Sequence, residues 1–160
     1  MRKDLEQMKR AILLLALIST PAGAQTLSKN GLETANYKYV AVRIESATVD
    51  AGSIDLTEDR IRTHVELRLR SAGLTPGDDL MKNKAFLYVK INVRGAAVHI
   101  AVEYARRVVF TTDDRPYRYV AKTWQSVGVG THAGDTAYIM EGLDAHLDRF
   151  LNEYLKVNQK

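Results

Sequence analysis

A glycine-rich turn between a strand-like run and a helix-like run is the place in this sequence where phosphate chemistry would be sought. Gly128, Gly130 and Gly134 lie within TWQSVGVGTHAGD, residues 123–135. Their spacing is one residue longer than the dinucleotide-binding fingerprint, and no lysine follows as in a P-loop. The turn also closes the last strand–helix unit instead of opening a βαβ unit. The glycines therefore predict relief of crowding in a strand and a turn into a helix, and not a nucleotide site.

Four histidines are the other side chains with catalytic or metal-binding potential: His64, His99, His132 and His146. They fall on different predicted elements, and none has a partner one helical turn away, so no metal site is expected. His132 lies beside the glycines, in a turn able to form a pocket. Serine catalysis has no G-x-S-x-G motif to support it, and Ser126 falls within a predicted strand. We therefore assign no catalytic, metal-binding or cofactor-binding residue.

Two carboxylate pairs suggest acid–base or calcium chemistry at first sight. Asp78 and Asp79 follow a proline and a glycine, and Asp113 and Asp114 precede an arginine and a proline. Aspartates in such turn-rich sequence bond to nearby backbone amides. The ligand offsets of a calcium loop are missing. The pairs are interpreted as turn residues.

The first 24 residues predict a signal peptide. Four basic residues within 1–10 precede an unbroken apolar run at 11–18, and Ala22, Gly23 and Ala24 match a small-residue cleavage site. We expect cleavage after Ala24 and export to the periplasm or out of the cell. The eight apolar residues are too few to span a bilayer, which needs about 20, so no transmembrane anchor is expected.

Composition limits the classes of function. The hydrophobic fraction of 46% and the charged fraction of 26% are those of a globular protein. The net charge of +4 falls to +2 without residues 1–24, and no long basic run remains, so nucleic-acid binding is not expected. The absence of cysteine excludes disulfides, thiol catalysis, cysteine-rich metal sites and lipid attachment through a cysteine.

A single domain is expected over residues 37–160, after a flexible polar lead-in at 25–36. Alternating apolar residues at 39–45 predict a strand. Residues 57–72 predict an amphipathic helix with Thr57 as its N-cap.

The clearest pattern belongs to a β-hairpin. Residues 85–94 alternate apolar and polar, and Gly95 and Ala96 then suit a two-residue type II′ turn. A slip of one residue would turn every apolar side chain to the wrong face, so the alternation defines the register. The predicted opposite pairs are Val93 and Val98, Ile91 and Ile100, Val89 and Val102, and Leu87 and Tyr104.

The second hairpin strand is expected to continue towards Phe110. Arg106 interrupts its apolar pattern and is interpreted as a bulge or a strand end. A turn at 111–116 leads to another strand over 117–129. Asp135 then caps a second amphipathic helix, whose apolar stripe comprises Ile139, Leu143, Leu147, Phe150 and Tyr154.

The order of elements, β-α-β-β-β-α, predicts a fold of the α+β class. We expect a two-layer sandwich in which a four-stranded, mainly antiparallel sheet carries two amphipathic helices on one face. This arrangement is similar to that of small α/β domains in exported envelope proteins, a likeness of fold that implies no function.

The sheet face away from the helices is predicted to carry an aromatic patch. Tyr88 lies opposite Glu103 in the hairpin register. If the next turn places Phe110 opposite Tyr117, Glu103 also lies opposite Trp124. Aromatic residues ringed by polar ones are typical of contact surfaces. The candidate partner-binding residues are Phe86, Tyr88, Glu103 and Trp124, surrounded by Lys90, Arg94, His99 and Lys122.

Three hypotheses follow from these patterns. The first is an exported, non-enzymatic interaction or accessory module of the cell envelope, which binds a protein partner or itself through the open sheet face. The second is a carrier of a small apolar ligand between the helices and the sheet. The third is an exported hydrolase with a site near His132, which requires a serine, a carboxylate or a second histidine within reach of that side chain.

Overall fold

The structure is a computed structural model, and it describes residues 31–48, 55–113, 115–132 and 134–159. The predicted signal peptide and residues 25–30 lie outside this range. The described residues form five strands and three helices. In chain order they are β1 (Tyr39–Thr48), α1 (Glu58–Ser71), β2 (Thr75–Gly77), α2 (Leu80–Asn83), β3 (Ala85–Arg94), β4 (Ala97–Thr112), β5 (Arg115–Thr131) and α3 (Thr136–Asn158).

The strands form one mixed sheet in the order β2-β1-β3-β4-β5. Strand β1 is parallel to its neighbours β2 and β3, whereas β4 is antiparallel to its neighbours β3 and β5. The predicted α+β sandwich is confirmed, with five strands and three helices instead of four and two. The two missed elements, β2 and α2, are three and four residues long. Elements this short show no hydrophobic period, and the proline within β2 indicated a turn.

Both long helices begin at the predicted caps. The Thr57 hydroxyl accepts a hydrogen bond from the Arg60 amide at 3.2 Å, and the Asp135 carboxylate accepts one from the Ala137 amide at 2.8 Å. Gly73 ends α1 with a φ of 75°, which a residue with a Cβ rarely adopts. The buried residues of the two helices form one core with the inner face of the sheet. They are Ile61, Val65, Leu69, Ile139, Leu143, Leu147, Phe150, Leu151 and Tyr154.

The predicted hairpin register is confirmed. Gly95 takes a φ of 56°, as the first turn position of a type II′ hairpin requires. The opposite pairs are those expected, from Val93 and Val98 to Leu87 and Tyr104, and all of these side chains are buried beneath the helices.

An aromatic cluster fills the inner face near the end of α3. The ring of Phe150 lies 5.9 Å from Tyr104, 5.1 Å from Tyr154 and 5.5 Å from Trp124, measured between centroids. The Tyr154 hydroxyl donates to the carbonyl oxygen of Tyr37 at 3.0 Å. Burial raises the pKa of the Tyr104 phenol and of the Tyr154 phenol above the ordinary value. Both tyrosines therefore remain neutral core residues across the physiological pH range.

Residues 31–36 belong to the packed domain, which corrects the predicted boundary of the flexible lead-in. Leu32 is fully buried. The Asn158 side-chain amide donates to the Leu32 carbonyl at 3.0 Å, and its oxygen accepts from the Thr34 amide at 3.0 Å. The last turn of α3 thus fixes this segment against the core.

Strands β4 and β5 extend beyond the rest of the sheet. Strand β3 accompanies β4 only as far as Arg106, so residues 107–112 pair with 115–120 alone. We call this two-stranded extension the β4–β5 arm. Asp113 turns its tip with a φ of 49°, within the predicted turn. Isolated two-stranded ribbons are marginally stable in water, so the arm depends on the sheet that it continues.

Candidate functional site

The sheet face opposite α1 and α3 is the surface on which the predicted contact residues were placed. Tyr88 lies opposite Glu103 on this face, as expected, and Phe86 lies opposite Ala105. The Phe86, Tyr88 and Glu103 side chains are half-buried. Three of the four predicted residues therefore share one surface, which we call the open face.

Trp124 is not part of the open face, and its predicted position is wrong. Phe110 does lie opposite Tyr117, but a bulge interrupts the ladder between Tyr104 and Ala105. Thr123 is the extra residue on β5, so Trp124 lies opposite Tyr104 and Gln125 lies opposite Glu103. An extra residue in one strand reverses the face of every residue beyond it.

The indole of Trp124 instead belongs to the core. Its side chain is 8% exposed and meets the Phe150 ring edge to face at an interplanar angle of 62°. Its ring N–H donates to the Glu153 carboxylate at 2.7 Å. The Thr123 hydroxyl donates to the carbonyl oxygen of Gly31 at 2.7 Å, which joins the bulge to the amino-terminal segment.

The charged groups of the open face leave an excess of positive charge. Lys122 contacts Glu103 at 2.6 Å, and Lys90 contacts Glu45 at 2.9 Å. Arg43 and Arg94 are exposed, and no carboxylate of the described residues pairs with either of them. Together with Arg118 on the arm, these arginines give the face its positive field.

Exposed apolar residues are concentrated on β4 and β5, a feature that the sequence patterns did not reveal. Val127 and Val129 lie on the open face beside His99 and are 46% and 79% exposed. Val109 and Val120 continue this surface along the arm at 59% and 61%. On the other side of the arm the rings of Phe110, Tyr117 and Tyr119 stack, with centroids 5.0 to 6.5 Å apart.

His132 has a structural role. It is 4% exposed, and one ring nitrogen lies 2.9 Å from the carbonyl oxygen of Gly95. The other ring nitrogen accepts a hydrogen bond from the Gly134 amide at 3.0 Å. Both nitrogens are therefore occupied by backbone groups, and no serine, carboxylate or second histidine among the described residues hydrogen-bonds to the ring. The hydrolase hypothesis required such a neighbour, so the geometry removes its basis.

A serine–histidine pair joins β5 to α3, with the serine buried and the histidine half-buried. The Ser126 hydroxyl and His146 Nδ1 are 2.7 Å apart, and Ser126 is 4% exposed. A Cβ on Gly128 would lie 2.7 Å from His146 Nε2, so this glycine relieves crowding as predicted. No carboxylate of the described residues hydrogen-bonds to the imidazole. A buried serine beside an imidazole without an orienting acid lacks the arrangement of a catalytic triad.

The lowered pKa of His146 predicts that the folded protein loses stability at acidic pH. Burial lowers the pKa of this imidazole below its ordinary 6.5, and the Arg149 guanidinium lowers it further. As the pH is lowered through 6.5, the His146 imidazole takes up a proton in the unfolded chain before it does so in the folded chain. The free energy of unfolding therefore decreases as the pH is lowered, until the pH is below the pKa of the folded state. Urea unfolding at several pH values should show this fall, and it should be smaller in His146→Gln. Equal pH dependence in both proteins would contradict the assignment.

The space between the helices and the sheet is small. A cavity of about 170 Å³ lies between α3 and β4–β5, lined in part by Ile100, Gly128, Gly142 and His146. Sites for small ligands usually have roughly 300–1,000 Å³. Buried aliphatic and aromatic side chains pack against one another over the inner face, so the geometry gives the carrier hypothesis little room.

The remaining candidate chemistry is also structural. The Asp79 carboxylate caps α2 by accepting from the Met81 amide at 2.9 Å, in agreement with its interpretation as a turn residue. The described residues contain no group of three or more histidine, aspartate or glutamate side chains arranged to hold a metal ion. Within the same part of the chain, no helix is both long and apolar enough to cross a membrane.

Comparisons with known proteins add little. No family model matches the chain, and no curated protein matches it. One similar solved structure is a minor lipoprotein from Acinetobacter baumannii, with 9% identity and a TM-score of 0.21. The alignment covers 74% of this chain and 84% of that one. A likeness at this level supports no inference about fold or function.

Proposed function

We propose that this protein is an exported, non-enzymatic interaction module of the cell envelope, which binds an acidic surface of a partner protein through its open face. The observation that carries the proposal is the combination, on one sheet face, of exposed valines with arginines that pair with no carboxylate of the described residues. Half-buried Phe86 and Tyr88 lie on the same face. Exposed apolar patches with a polar rim are typical of protein contact sites.

The charge of the open face favours a different protein over a second copy as the partner. Two copies meeting through this face would bring two surfaces with an excess of positive charge together. Like charges facing each other across an interface oppose association, whereas an acidic surface complements them. Val127 and Val129 would then supply the apolar contact, on the same face as Tyr88 and Glu103.

Export is the part of the proposal that depends on the sequence alone. The basic start, the apolar run at 11–18 and the small residues before Gln25 support a cleaved signal. The mass of the protein recovered from envelope fractions of the native host tests this part. A mature chain beginning at Gln25 is the expected result, and a full-length cytoplasmic chain would contradict it.

The binding face is tested by the double substitution Tyr88→Ala with Val129→Ala. It removes one half-buried aromatic residue and one exposed valine from the open face, and we expect the affinity for the partner to fall at least about tenfold. The immobilised mature protein would be used to capture partners from envelope extract, followed by affinity measurement with the identified protein. Raised salt should also weaken the complex, because exposed charges are screened.

The matched control is Leu67→Ala with Tyr138→Ala. Both residues are large, apolar and more than half exposed, but they lie on the helices. The proposal predicts that this control captures the same acidic partner as the unaltered protein. Equal losses in both variants, or no captured partner for the unaltered protein, would contradict it. Self-association that is abolished only by the open-face variant would replace the acidic partner with a second copy.

A further inference from the structure

A concave site with a high density of positive charge lies beside the base of the β4–β5 arm, separate from the helix-covered core. Its volume is about 340 Å³. Six of its lining residues determine its chemistry, namely Asn36, Lys82, Asn83, Lys84, Arg106 and Arg107. We call it the basic cleft.

Arg106 occupies an unusual position in the sheet. It lies between Ala85 and Ala121 in the register, on the inner face where apolar residues precede it. The two alanines leave room for its long side chain, which is half-buried. Its guanidinium is 3.6 Å from the Glu33 carboxylate, beyond good hydrogen-bonding distance. An arginine in an inward position with such a distant partner keeps most of its donors available.

The wall of the cleft is held by backbone contacts. Lys84 has a φ of 54°, a left-handed conformation that is uncommon for a residue with a Cβ. Its carbonyl oxygen accepts a hydrogen bond from the Arg107 amide at 2.7 Å. The Asn83 side-chain amide donates to the backbone carbonyl oxygens of Asn36, at 2.8 Å, and of Tyr39. These bonds join the amino-terminal segment, α2 and β4 around one concavity.

The positive groups of the cleft have few competing partners. Lys82 lies 4.2 Å from the centre of the Tyr39 ring, and the Arg107 guanidinium is 3.5 Å from the sulfur of Met81. Thioether sulfur is a weak acceptor, so these contacts leave lysine and arginine donors free. Four cations thus surround the cleft, and Glu33 is the carboxylate that ion-pairs with one of them among the described residues.

We propose that the basic cleft binds a phosphate group, carried either by a small phosphate ester or by a lipid headgroup. Arginine matches the oxygens of phosphate with paired N–H donors, and lysine adds compact charge. The volume suits a small ligand or a headgroup, being near the lower end of the usual range of roughly 300–1,000 Å³. Arg106 would contact the anion from the sheet while Lys84 and Arg107 contact it from the rim.

The test compares two double variants. The cleft variant carries Lys84→Gln and Arg107→Gln, and the control variant carries Arg115→Gln and Lys156→Gln. Both pairs remove two positive charges from exposed residues, but only the first pair lines the cleft. Titration calorimetry would use inorganic phosphate and glycerol 3-phosphate. Co-sedimentation would use vesicles of phosphatidylglycerol with phosphatidylcholine, and vesicles of phosphatidylcholine alone. Loss of charge-assisted hydrogen bonds should weaken binding about tenfold or more in the cleft variant.

Each outcome decides a different point. Binding of the soluble phosphates, lost in the cleft variant and kept within about twofold in the control, identifies a small ester as the ligand source. If the protein binds only the vesicles that contain phosphatidylglycerol, and this binding is lost in the cleft variant and kept in the control, the ligand source is a lipid headgroup. Equal weakening by both pairs indicates general attraction and overturns the proposal, as does an unaltered protein that binds no probe. Thermal melts of both variants without ligand exclude unfolding as the cause.

Discussion

Replacing Trp124 by alanine is expected to lower the free energy of unfolding by about 3–5 kcal/mol, the usual cost of truncating a large buried aromatic residue. The change removes the edge-to-face contact with Phe150 and leaves a cavity within the aromatic cluster. It also removes the indole donor to Glu153, although Arg149 still contacts that carboxylate at 3.2 Å. Urea unfolding followed by far-ultraviolet circular dichroism measures the effect, because Trp124 is the only tryptophan available for fluorescence.

Tyr138→Ala is the matched control for this substitution. It also truncates an aromatic residue, one that lies on α3, but its side chain is 51% exposed. Its effect should stay within about 0.5 kcal/mol, as is common for surface positions. If Trp124→Ala unfolded at the same urea concentration as the unaltered protein, the indole could not be in the core. An effect on partner capture without an effect on stability would return Trp124 to the open face.

The contrast between the two hairpins shows which parts of the sheet were predictable from sequence. For β3 and β4, the alternation of two apolar strands and a two-residue turn specified the same register, and an error of one residue would have exposed the whole core face. For β4 and β5, the pairing of Phe110 with Tyr117 was right at the turn. The predicted register beyond that pair assumed that β4 and β5 pair without a bulge. Thr123 is an extra residue on β5, so this part of the register was wrong.

The spacing of inner and outer residues on β5 indicates the bulge once the structure shows which residues belong to each face. Ala121 and Trp124 both belong to the inner face, yet they are three positions apart, whereas regular strands place inner residues two apart. The polar residues Lys122 and Gln125 show the same spacing on the open face. Bulges arise from local geometry around a single extra residue, so composition and period alone leave their position undefined.

The candidate sites differ in how far the sequence could define them. Phe86, Tyr88 and Glu103 were placed together by the hairpin register alone. The exposure of Val127 and Val129 was not predicted, because it depends on which face of the sheet the helices cover. From the sequence, only the glycines beside these two valines were interpreted. The basic cleft joins residues far apart in sequence, from Asn36 to Arg107, and no local spacing predicts that juxtaposition.

Leu32 provides the second large expected effect, because its segment was predicted to be flexible. Leu32→Ala should lower the free energy of unfolding by about 2–5 kcal/mol, the range for leucine truncation in a core that collapses only in part. The Leu32 side chain is fully buried, and the Asn158 side-chain amide donates a hydrogen bond to the Leu32 carbonyl oxygen at 3.0 Å. Urea unfolding monitored by Trp124 fluorescence is a suitable measurement, since the bulge beside that residue bonds to Gly31.

Leu67→Ala is the same chemical change at a position that is 59% exposed on α1. It should alter stability by no more than about 0.5 kcal/mol, so the difference between the two variants isolates burial from the loss of three side-chain carbons. Matching small effects would show that residues 31–36 are a lead-in after all. Loss of stability in Leu32→Ala alone, accompanied by faster amide exchange at Thr34, would place the start of the domain before residue 32.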